Sequence, residues 1–561
     1  MEPKTRLTPV QRFWRLLHPD RKEIRNVYVY AVFNGLINLS LPLGIQAIVN
    51  LIQGGQVSTA WIVLVSVVVA GVAATGVLQI AQLRITENLQ QKIFARSAFE
   101  FAFRIPKVKM EAIYKHYAPE LMNRFFDTLT VQKGLSKILI DFSTAVLQVV
   151  FGLILLSFYH PFFVLFSLIL IVLVYAIFRF TGKAGLETSL NESKYKYRVA
   201  HWLEEMARTS TTFKLAGNTD LPLARMDKEV DDYLGARESH FKVLVQQYSL
   251  MIVFKAIIVA GLLAMGGVLV MQGVMNIGQF VAAEIIILLV MSSVEKLVMS
   301  METIYDVLTA LEKIGQVTDL ELERTEGVDT MWDEGSSGLK IELQDVHFTY
   351  PDGDRVILSN ITESIASGER VIICGPNGSG KSTLLQILAG LCDVSKGQVI
   401  YNDLPKGNLN LTSLRSAIGD CLTHEQLFDG TVLENITVGR PGATFENVKW
   451  AAKNLMLEGF IQQLPNGYDS SIDPQGKKLS KSITQKLLLA RSIADKPKLL
   501  LLEDALEHLD DNDRKLIVDF LVGSENAWTI IAASSDNYFR SKADKVIEME
   551  DGCFRHLSNK N

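Results

Sequence analysis

The sequence predicts a membrane protein of two parts, an all-α domain with six membrane-spanning helices followed by an α/β domain. Hydrophobic residues make up 48% of its 561 residues and the mean hydropathy is +0.20, which is more apolar than an ordinary soluble enzyme. Six apolar runs of about 20 residues or more precede residue 300, and each could cross a hydrocarbon core of roughly 30 Å as a helix. After residue 338, short strand patterns alternate with helical ones, as expected of an α/β domain.

The six apolar runs are separated by short turns or by long charged segments. They are Val27–Ile52, Ala60–Leu83, Leu135–Tyr159, Pro161–Phe180, Tyr248–Met271 and Gly278–Leu297. Asn34, Asn38 and Pro42 interrupt the first run, which leaves a buried amphipathic helix as its alternative. Lys and Arg are concentrated before the first run and in segments 84–134 and 181–247, so both termini and both segments are predicted to be cytoplasmic.

The two long charged segments are predicted to continue the membrane helices well beyond the bilayer. Apolar residues recur at helical spacing in both, for example in Ile85–Phe103 and Asn191–Arg208. A separately folded loop domain is the alternative.

Several ionisable residues lie inside the predicted spans. Lys137, Asp141, Arg179 and Lys296 lie toward cytoplasmic ends, where water is close, which leaves Lys255, Glu284 and Glu295. Counted inward from the outer turn at about 1.5 Å per residue, Lys255 and Glu295 fall at a similar depth, and Glu284 lies closer to the outside. Charges inside a membrane normally face a cavity or a partner. Lys255 is therefore predicted to pair with Glu295, and Glu284 to face the translocation cavity. Snorkelling of these side chains toward an interface is the alternative.

The cysteines and the overall charge argue against several kinds of site and partner. Cys374, Cys392, Cys421 and Cys553 are unevenly spaced without a CxxC pattern, which favours free buried thiols in a reducing compartment over disulfides or a zinc site. The formal net charge of −5 argues against nucleic acid as a partner. The first apolar run is long and lacks a small-residue cleavage pattern, so it is predicted to be a retained span.

The domain boundaries follow from a change in composition. Residues 318–338 are acidic, contain Gly and Ser, and lack a long apolar period, as is typical of an exposed linker. We therefore expect a transmembrane domain over residues 1–317, a linker over 318–338 and a second domain over 339–561.

The second domain contains a phosphate-binding loop within Val371–Gly390. An apolar, β-branched run precedes the glycine-rich stretch, and a helical run follows it, which is the context this motif requires. Glycines let the backbone turn tightly and direct N–H groups at phosphate oxygens, while the positive end of the helix dipole faces the same anion. The candidate nucleotide-binding residues are Gly375, Asn377, Gly378, Ser379, Gly380, Lys381, Ser382 and Thr383.

Other motifs lie on both sides of the loop. Tyr350 precedes it by about 25 residues, and an exposed aromatic ring there could stack on a base. Downstream come Leu479-Ser480-Lys481-Ser482-Ile483, the apolar run Leu499–Leu502 followed by Glu503 and Asp504, then Asp510, and the run from Trp528 to Ser535. An apolar strand ending in two carboxylates suits a Mg²⁺-nucleotide site, with one acid for the metal and one for the attacking water.

With six predicted membrane helices followed by these motifs in this order, the chain resembles an ABC exporter half-transporter over nearly its whole length. The resemblance implies that two halves dimerise, that two ATP molecules are held between the ATP-binding domains, and that closure drives the membrane helices from inward- to outward-facing. It implies that Tyr350 stacks on adenine, that Lys381 and Ser382 hold phosphate and Mg²⁺, and that Asp510 is the D-loop aspartate. The segment Leu479–Ile483 would act in trans, on ATP bound to the other half.

The chain departs from the family pattern at four motifs. Lys481, Ser482 and Ile483 stand where the family signature has Gly, Gly and Gln. The Walker B pair is Glu503-Asp504 instead of Asp-Glu, which gives Glu503 the metal-side role and Asp504 the water-side role. Thr423 occupies the Gln-loop position, and Ser535 occupies the His-loop position. Only the phosphate loop is intact, so ATP binding should survive while hydrolysis should suffer.

The leading expectation is therefore the ATP-binding half of an ABC exporter in the cytoplasmic membrane, working with a second half-transporter. A heterodimer with a half whose motifs are intact is favoured, and an active homodimer is an alternative. A nucleotide-gated membrane regulator or scaffold that does not pump is an alternative of a different class. The lipid bilayer is an expected partner, ATP and Mg²⁺ are the expected cofactors, and no motif identifies the transported substrate.

Overall fold

The computed structural model describes residues 7–53, 59–114, 118–330, 338–351, 353–423 and 425–555. Contacts divide the chain into two compact units. The first takes Met1–Pro106 and His116–Leu320, and the second takes Lys107–Lys115 and Glu321–Asn561. Sequence reasoning did not anticipate that a short segment near residue 110 belongs with the C-terminal unit.

The part of the chain before residue 320 is helical. Its helices are α1 (Pro9–Leu17), α2 (Arg21–Asn38), α3 (Ser40–Gln53), α4 (Thr59–Arg104), α5 (Met110–Ile113), α6 (Ala118–Asn123), α7 (Asp127–Lys137), α8 (Ser143–Ser157), α9 (Pro161–Arg208), α10 (Ser210–Leu215), α11 (Leu221–Met271) and α12 (Ile277–Thr318). Helix α5 lies in the second unit, and the others lie in the first.

Six helical segments in the described residues are long and apolar enough to cross a membrane, which confirms the predicted all-α domain of six spans. The predicted helical extensions are also confirmed. Helix α4 runs for 46 residues and includes Ile85–Phe103, and α9 runs for 48 residues and includes Asn191–Arg208. Within the described residues, neither segment folds as a separate loop domain.

Two spans are less regular than the sequence analysis expected. The first is divided between α2 and α3 at Leu39, and Pro42 lies in the first turn of α3, where its missing N–H costs no helical hydrogen bond. In the third span a π-helical turn, Ile138–Phe142, separates α7 from α8. Such turns leave no clear signal in residue type or period, so the run Leu135–Tyr159 predicted a single helix.

Helices α8, α9, α11 and α12 pack around one apolar core. Its members include Leu156, Phe163 and Met291, each less than 1% exposed. Beside this core, Lys255 Nζ on α11 donates to Glu295 Oε2 on α12 at 3.1 Å, which confirms the predicted pair. Glu284 is half-buried on α12, and its role in a translocation cavity stays a prediction.

The second unit alternates strands and helices, which confirms the predicted α/β class. Its strands are β1 (Ile341–Thr349), β2 (Val356–Ile365), β3 (Arg370–Cys374), β4 (Lys396–Tyr401), β5 (Leu404–Pro405), β6 (Ile418–Cys421), β7 (Gly430–Thr431), β8 (Ser471–Ile472), β9 (Leu499–Glu503), β10 (Thr529–Ala533), β11 (Lys545–Glu550) and β12 (Cys553–Arg555). The helices of this region are α13 (Lys381–Leu388), α14 (Leu411–Ser416), α15 (Val432–Thr437), α16 (Phe445–Asn454), α17 (Glu458–Gln463), α18 (Lys481–Ile493), α19 (Asp511–Leu521) and α20 (Asn537–Ser541).

The larger sheet has the strand order β12-β11-β3-β10-β9-β6. Strands β11, β3, β10, β9 and β6 run parallel, and β12 is antiparallel to β11. Because parallel strands share one direction, the carboxyl ends of β3, β10, β9 and β6 meet at one edge, where α/β proteins bind ligands. An antiparallel sheet of order β2-β1-β4-β5 makes up a second layer.

All four cysteines are free, as predicted, but they are not all buried. Cys392 and Cys421 are buried, Cys374 is half-buried, and Cys553 on the edge strand β12 is exposed. The expectation of a buried thiol is therefore wrong for Cys553, because an edge strand leaves one side of its chain in water.

Within the predicted linker, residues 318–320 belong to the first unit and residues 321–330 belong to the second. The Glu323 N–H donates to the Lys107 carbonyl oxygen at 2.7 Å, and the Lys109 N–H donates to the Glu321 carbonyl oxygen at 2.9 Å. The Arg415 guanidinium also holds the Glu323 carboxylate, at 2.6 and 2.8 Å. Residues 331–337 of the predicted linker lie outside the described residues.

Candidate functional site

The phosphate loop connects β3 to α13, as the sequence predicted. Gly375, Gly378 and Gly380 have φ values of +148°, +82° and +103°, a region that side chains rarely tolerate. A Cβ atom on Gly375 would lie 2.0 Å from the Met549 carbonyl oxygen, so only glycine fits there. The loop backbone is therefore fixed in a shape that requires these glycines.

Lys381 begins α13 and folds over the loop. Its Nζ donates to the Gly375 carbonyl oxygen at 2.8 Å and to the Pro376 carbonyl oxygen at 2.9 Å. Ser382 is exposed, whereas Ser379 and Thr383 are buried. The loop thus presents an ammonium group, a hydroxyl group and a helix N-terminus together, which fits the phosphates of a nucleotide with their metal ion. Asn377 lies at the exposed tip of the loop.

Tyr350 lies next to this loop, but it is half-buried and not the exposed ring that the sequence suggested. Its hydroxyl is 3.1 Å from Thr383 Oγ1. Its ring meets Phe348 edge to face at 4.9 Å between centroids and Tyr114 at 5.4 Å. Tyr350 is therefore positioned by the loop helix and by two aromatic neighbours.

Tyr114 is a neighbour of the site that sequence reasoning missed. It caps α5, and its hydroxyl donates to Gln386 Oε1 on α13 at 3.1 Å. A single tyrosine in a charged segment more than 200 residues before the loop gives no signal that a sequence reader could use. Only the folded chain brings it to the phosphate-loop helix.

Glu503 and Thr423 meet at the carboxyl edge of the larger sheet. Glu503 is the last residue of β9 and is 8% exposed. The neighbouring strand β6 ends at Cys421, and the Thr423 N–H donates to Glu503 Oε2 at 3.1 Å. The residue at the Gln-loop position thus orients the carboxylate through its backbone, while its side chain is too short to act as an amide would.

Asp504 follows Glu503 in a left-handed conformation with φ +45°. Its N–H donates to the Ala533 carbonyl oxygen at 3.0 Å, which ties it to the end of β10. Although Asp504 is exposed overall, partial burial raises the pKa of its carboxyl, the charges of Glu507 and Glu503 add to this effect, and Lys381 opposes it. The site therefore holds three carboxylates near one lysine.

Ser535 lies two residues beyond β10 and is exposed. Ser534 before it is buried, and its Oγ accepts the Asp536 N–H at 3.1 Å. Since Ala533 pairs with Glu503 across β10 and β9, Ser535 belongs to the same edge as Asp504. A serine hydroxyl at this position extends much less far than an imidazole.

The signature segment Leu479–Ile483 spans the start of α18, which begins at Lys481. Ser480 is the N-cap, and its Oγ accepts the Ile483 N–H at 3.2 Å. Lys481 is exposed at the first helical position, and Leu479 and Ser482 are half-buried. Among the residues that the structure describes, no hydrogen bond joins this segment to the phosphate loop. Asp510 occupies the N-cap position of α19 and is exposed.

A half-buried charged network beside the Gln-loop position was also missed. The Arg491 guanidinium on α18 donates from Nε to the Asn435 carbonyl oxygen at 2.8 Å and lies 3.7 Å from Glu425 Oε2. Burial and the nearby Asp420 raise the pKa of Glu425 to about 8. The Leu422 N–H donates to Glu425 Oε1 at 2.9 Å, so this carboxyl is bonded to the residue beside Thr423.

Comparison with known families agrees with this architecture. Residues 25–294 match the model of the ABC transporter transmembrane region, and residues 358–507 match that of the ABC transporter. A solved structure, titled "Structure of a bacterial Atm1-family ABC exporter with ATP bound", superposes with a TM-score of 0.85. It covers 96% of this chain and 94% of that chain at 20% sequence identity, which shows a shared fold.

Two curated relatives are similar in sequence over part of their length. An uncharacterized ABC transporter ATP-binding protein of Sinorhizobium fredii is 27% identical over 357 residues, 63% of this chain and 61% of the relative. A putative multidrug export ATP-binding/permease protein of Staphylococcus aureus is 37% identical over 214 residues, 38% of this chain and 37% of the relative. The chain thus matches less than two thirds of the length of these relatives.

Proposed function

Because the chain belongs to the ABC transporter family and has the exporter half-transporter architecture, we propose that it is an ATP-binding half that couples ATP binding to outward transport. The observation that carries this proposal is the contrast, within one site, between the groups for binding and the groups for hydrolysis. The phosphate loop has every group that binding requires, whereas the positions that drive hydrolysis hold shorter or different side chains. The transported substrate is unknown.

ATP binding rests on the phosphate loop and its neighbours. Gly375, Gly378 and Gly380 shape the loop backbone so that N–H groups can face phosphate oxygens. Lys381 Nζ lies over the same loop and can exchange its carbonyl partners for phosphate oxygens. Tyr350 is the proposed contact for adenine. The bound nucleotide and Mg²⁺ supply the phosphoryl group and the metal charge, for which Ser382 and Glu503 are the proposed protein ligands.

We propose that hydrolysis is impaired because the side chains of Asp504 and Ser535 are too short. Asp504 has one methylene fewer than the usual glutamate, which withdraws its carboxylate by about 1 Å, and a displacement of that size can cost on the order of 10²-fold in rate. Ser535 lacks the imidazole that would reach the γ-phosphate from the His-loop position. Thr423 contributes its N–H to Glu503 and provides no amide side chain for the metal or the water.

The proposed assembly contains two half-transporters. The signature segment Leu479–Ile483 would face ATP held by the other half, with Ser480 at the helix N-terminus. Lys481 and Ser482 add side chains where the family has glycines, so a homodimer would have two weakened sites. We therefore favour a heterodimer in the cytoplasmic membrane with both termini cytoplasmic, in which the partner's intact motifs complete one active site.

ATP-dependent transport into proteoliposomes tests this function. The chain is reconstituted alone and with a candidate partner half, and flux is measured with ATP and with a non-hydrolysable analogue. The proposal expects ATP-dependent flux only when the partner half is present. ATP binding without flux in any combination would instead support a nucleotide-gated regulator or scaffold.

A further inference from the structure

The second unit includes a short segment, Lys107–Lys115, that comes from the helical part of the chain. Within it, Val108 forms an antiparallel bridge with Leu322. Further along the segment, Glu111 Oε1 accepts the Asp393 N–H at 3.1 Å. The segment is therefore attached to the second unit through both its backbone and a side chain.

Tyr114 lies at the end of α5 in this segment and is 38% exposed. Its ring centroid lies 5.4 Å from that of Tyr350, and the two rings meet at 87°. Its hydroxyl donates to Gln386 Oε1 at 3.1 Å. Burial raises the pKa of this hydroxyl, and the nearby Cys392 thiol adds to the effect, so the group keeps its proton. Tyr114 therefore stays a hydrogen-bond donor while its ring contacts Tyr350.

One helix holds the hydroxyl groups of both tyrosines. The Tyr350 hydroxyl lies 3.1 Å from Thr383 Oγ1, and the Tyr114 hydroxyl is bonded to Gln386. Thr383 and Gln386 are three residues apart on α13, so they share one face of that helix. The same helix begins at Lys381, which lies over the phosphate loop. Helix α13 thus sets the position of both rings relative to the phosphate loop.

The Tyr350 ring has one aromatic neighbour toward the core and another toward solvent. Phe348, which is 2% exposed, meets it at 85° with 4.9 Å between centroids. Tyr114 is the neighbour with the exposed ring. An edge-to-face contact of this kind is worth about two- to tenfold in an equilibrium constant, and a ring held in place before the ligand arrives loses less freedom on binding. Removing Tyr114 would therefore leave the Tyr350 ring less ordered on its solvent side.

We propose that Tyr114 is a positioning residue of the nucleotide site, which holds the Tyr350 ring in the orientation that stacks on the base of the bound nucleotide. Recognition of the base then depends on Tyr114, whereas recognition of the phosphates does not. This inference rests on the proposed function, because it takes the phosphate loop as an ATP site and Tyr350 as its adenine contact. It adds a second, distant part of the chain to the base-binding end of that site.

Binding of Mg²⁺-ATP and of Mg²⁺-tripolyphosphate to the full chain in nanodiscs, measured by isothermal titration, tests the proposal. Tripolyphosphate has the phosphates without a base or a sugar, so it reports on the phosphate loop alone. Tyr114→Ala should weaken ATP binding by about two- to tenfold and leave tripolyphosphate binding unchanged. Tyr114→Phe keeps the ring and should lose less ATP affinity than Tyr114→Ala.

Further variants show whether Tyr114 acts through Tyr350. Tyr350→Ala should itself weaken ATP binding, and adding Tyr114→Ala to it should cause little further loss. Tyr468→Ala is the matched control, because Tyr468 contacts Phe445 at 79° with 5.2 Å between centroids, in a different apolar cluster of the second unit. This control should bind both probes as the native chain does.

Three results would overturn the inference: unchanged ATP binding in Tyr114→Ala, an equal loss for ATP and tripolyphosphate, or additive losses in the double variant. A native chain that binds neither probe would overturn the proposed function as well.

Discussion

The backbone N–H of Thr423 donates to the side chain of Glu503 at 3.1 Å, across the ends of two neighbouring parallel strands. This bond joins two of the positions at which we infer a departure from the family pattern. It keeps the buried Glu503 carboxylate oriented toward the edge where β3 delivers the phosphate loop. The bond thus fixes the orientation of the carboxylate that we propose as a metal ligand.

Replacing Thr423 separates its backbone role from its side-chain role. Thr423→Pro removes the donor and leaves Glu503 without this bond, which should cost about 1–3 kcal/mol. Thr423→Ala keeps the N–H and should be nearly neutral. Thermal unfolding of the purified chain measures both variants, and equal stability of the two would show that the bond does not matter.

Lys381 should be required for nucleotide binding. Lys381→Ala removes an ammonium that would contact phosphate oxygens, so the affinity for ATP should fall by about a hundredfold or more. Equilibrium binding of a fluorescent ATP analogue measures the loss. Lys453→Ala, an exposed lysine on α16, is the control and should bind as the native chain does. Similar binding by both variants would contradict the assignment of the loop.

Restoring the missing side chains should raise hydrolysis. Asp504→Glu combined with Ser535→His returns a longer carboxylate and an imidazole, and we expect the ATPase rate to rise by about 10²-fold. Thr423→Gln added to this pair should increase the rate further. Steady-state phosphate release measures the change. A restored chain that hydrolyses no faster than the native one would contradict the claim that these side chains limit hydrolysis.

Glu425 predicts a pH dependence of stability. Its pKa is raised from 4.5 to about 8 in the folded chain, first by burial and then by Asp420. A raised pKa stabilises the fold below the ordinary pKa, and this contribution is lost as pH rises through about 8. The unfolding midpoint should therefore fall by a few degrees from about pH 7 to pH 9. Glu425→Gln should lessen this fall, and an unchanged profile would contradict the pKa assignment.

The pair of Lys255 and Glu295 predicts coupling between two membrane helices. Each side chain is partly exposed, so the interaction should be worth about 1 kcal/mol or less. Lys255→Ala and Glu295→Ala should each destabilise the chain in nanodiscs, and the double variant should lose less than the sum of the two. Strictly additive losses would show that the two groups do not interact.

Much of the architecture could be predicted because its signals are local. Apolar runs of membrane length predicted the six spans. A glycine-rich stretch between a strand pattern and a helix pattern predicted the phosphate loop. The pairing of Lys255 with Glu295 followed from depth alone, since both were counted from one short turn.

The remaining features depend on contacts between distant residues. Tyr114 reaches Tyr350 and Gln386 only after folding, and the π-helical turn Ile138–Phe142 depends on how its helix packs.

Binding and turnover of Mg²⁺-ATP in one nanodisc sample of the purified chain test the central claim most directly. We expect saturable binding at the phosphate loop together with an ATPase rate on the order of 10²-fold below that of the Asp504→Glu, Ser535→His chain. Hydrolysis by the native chain alone at the rate of that restored chain would contradict the account.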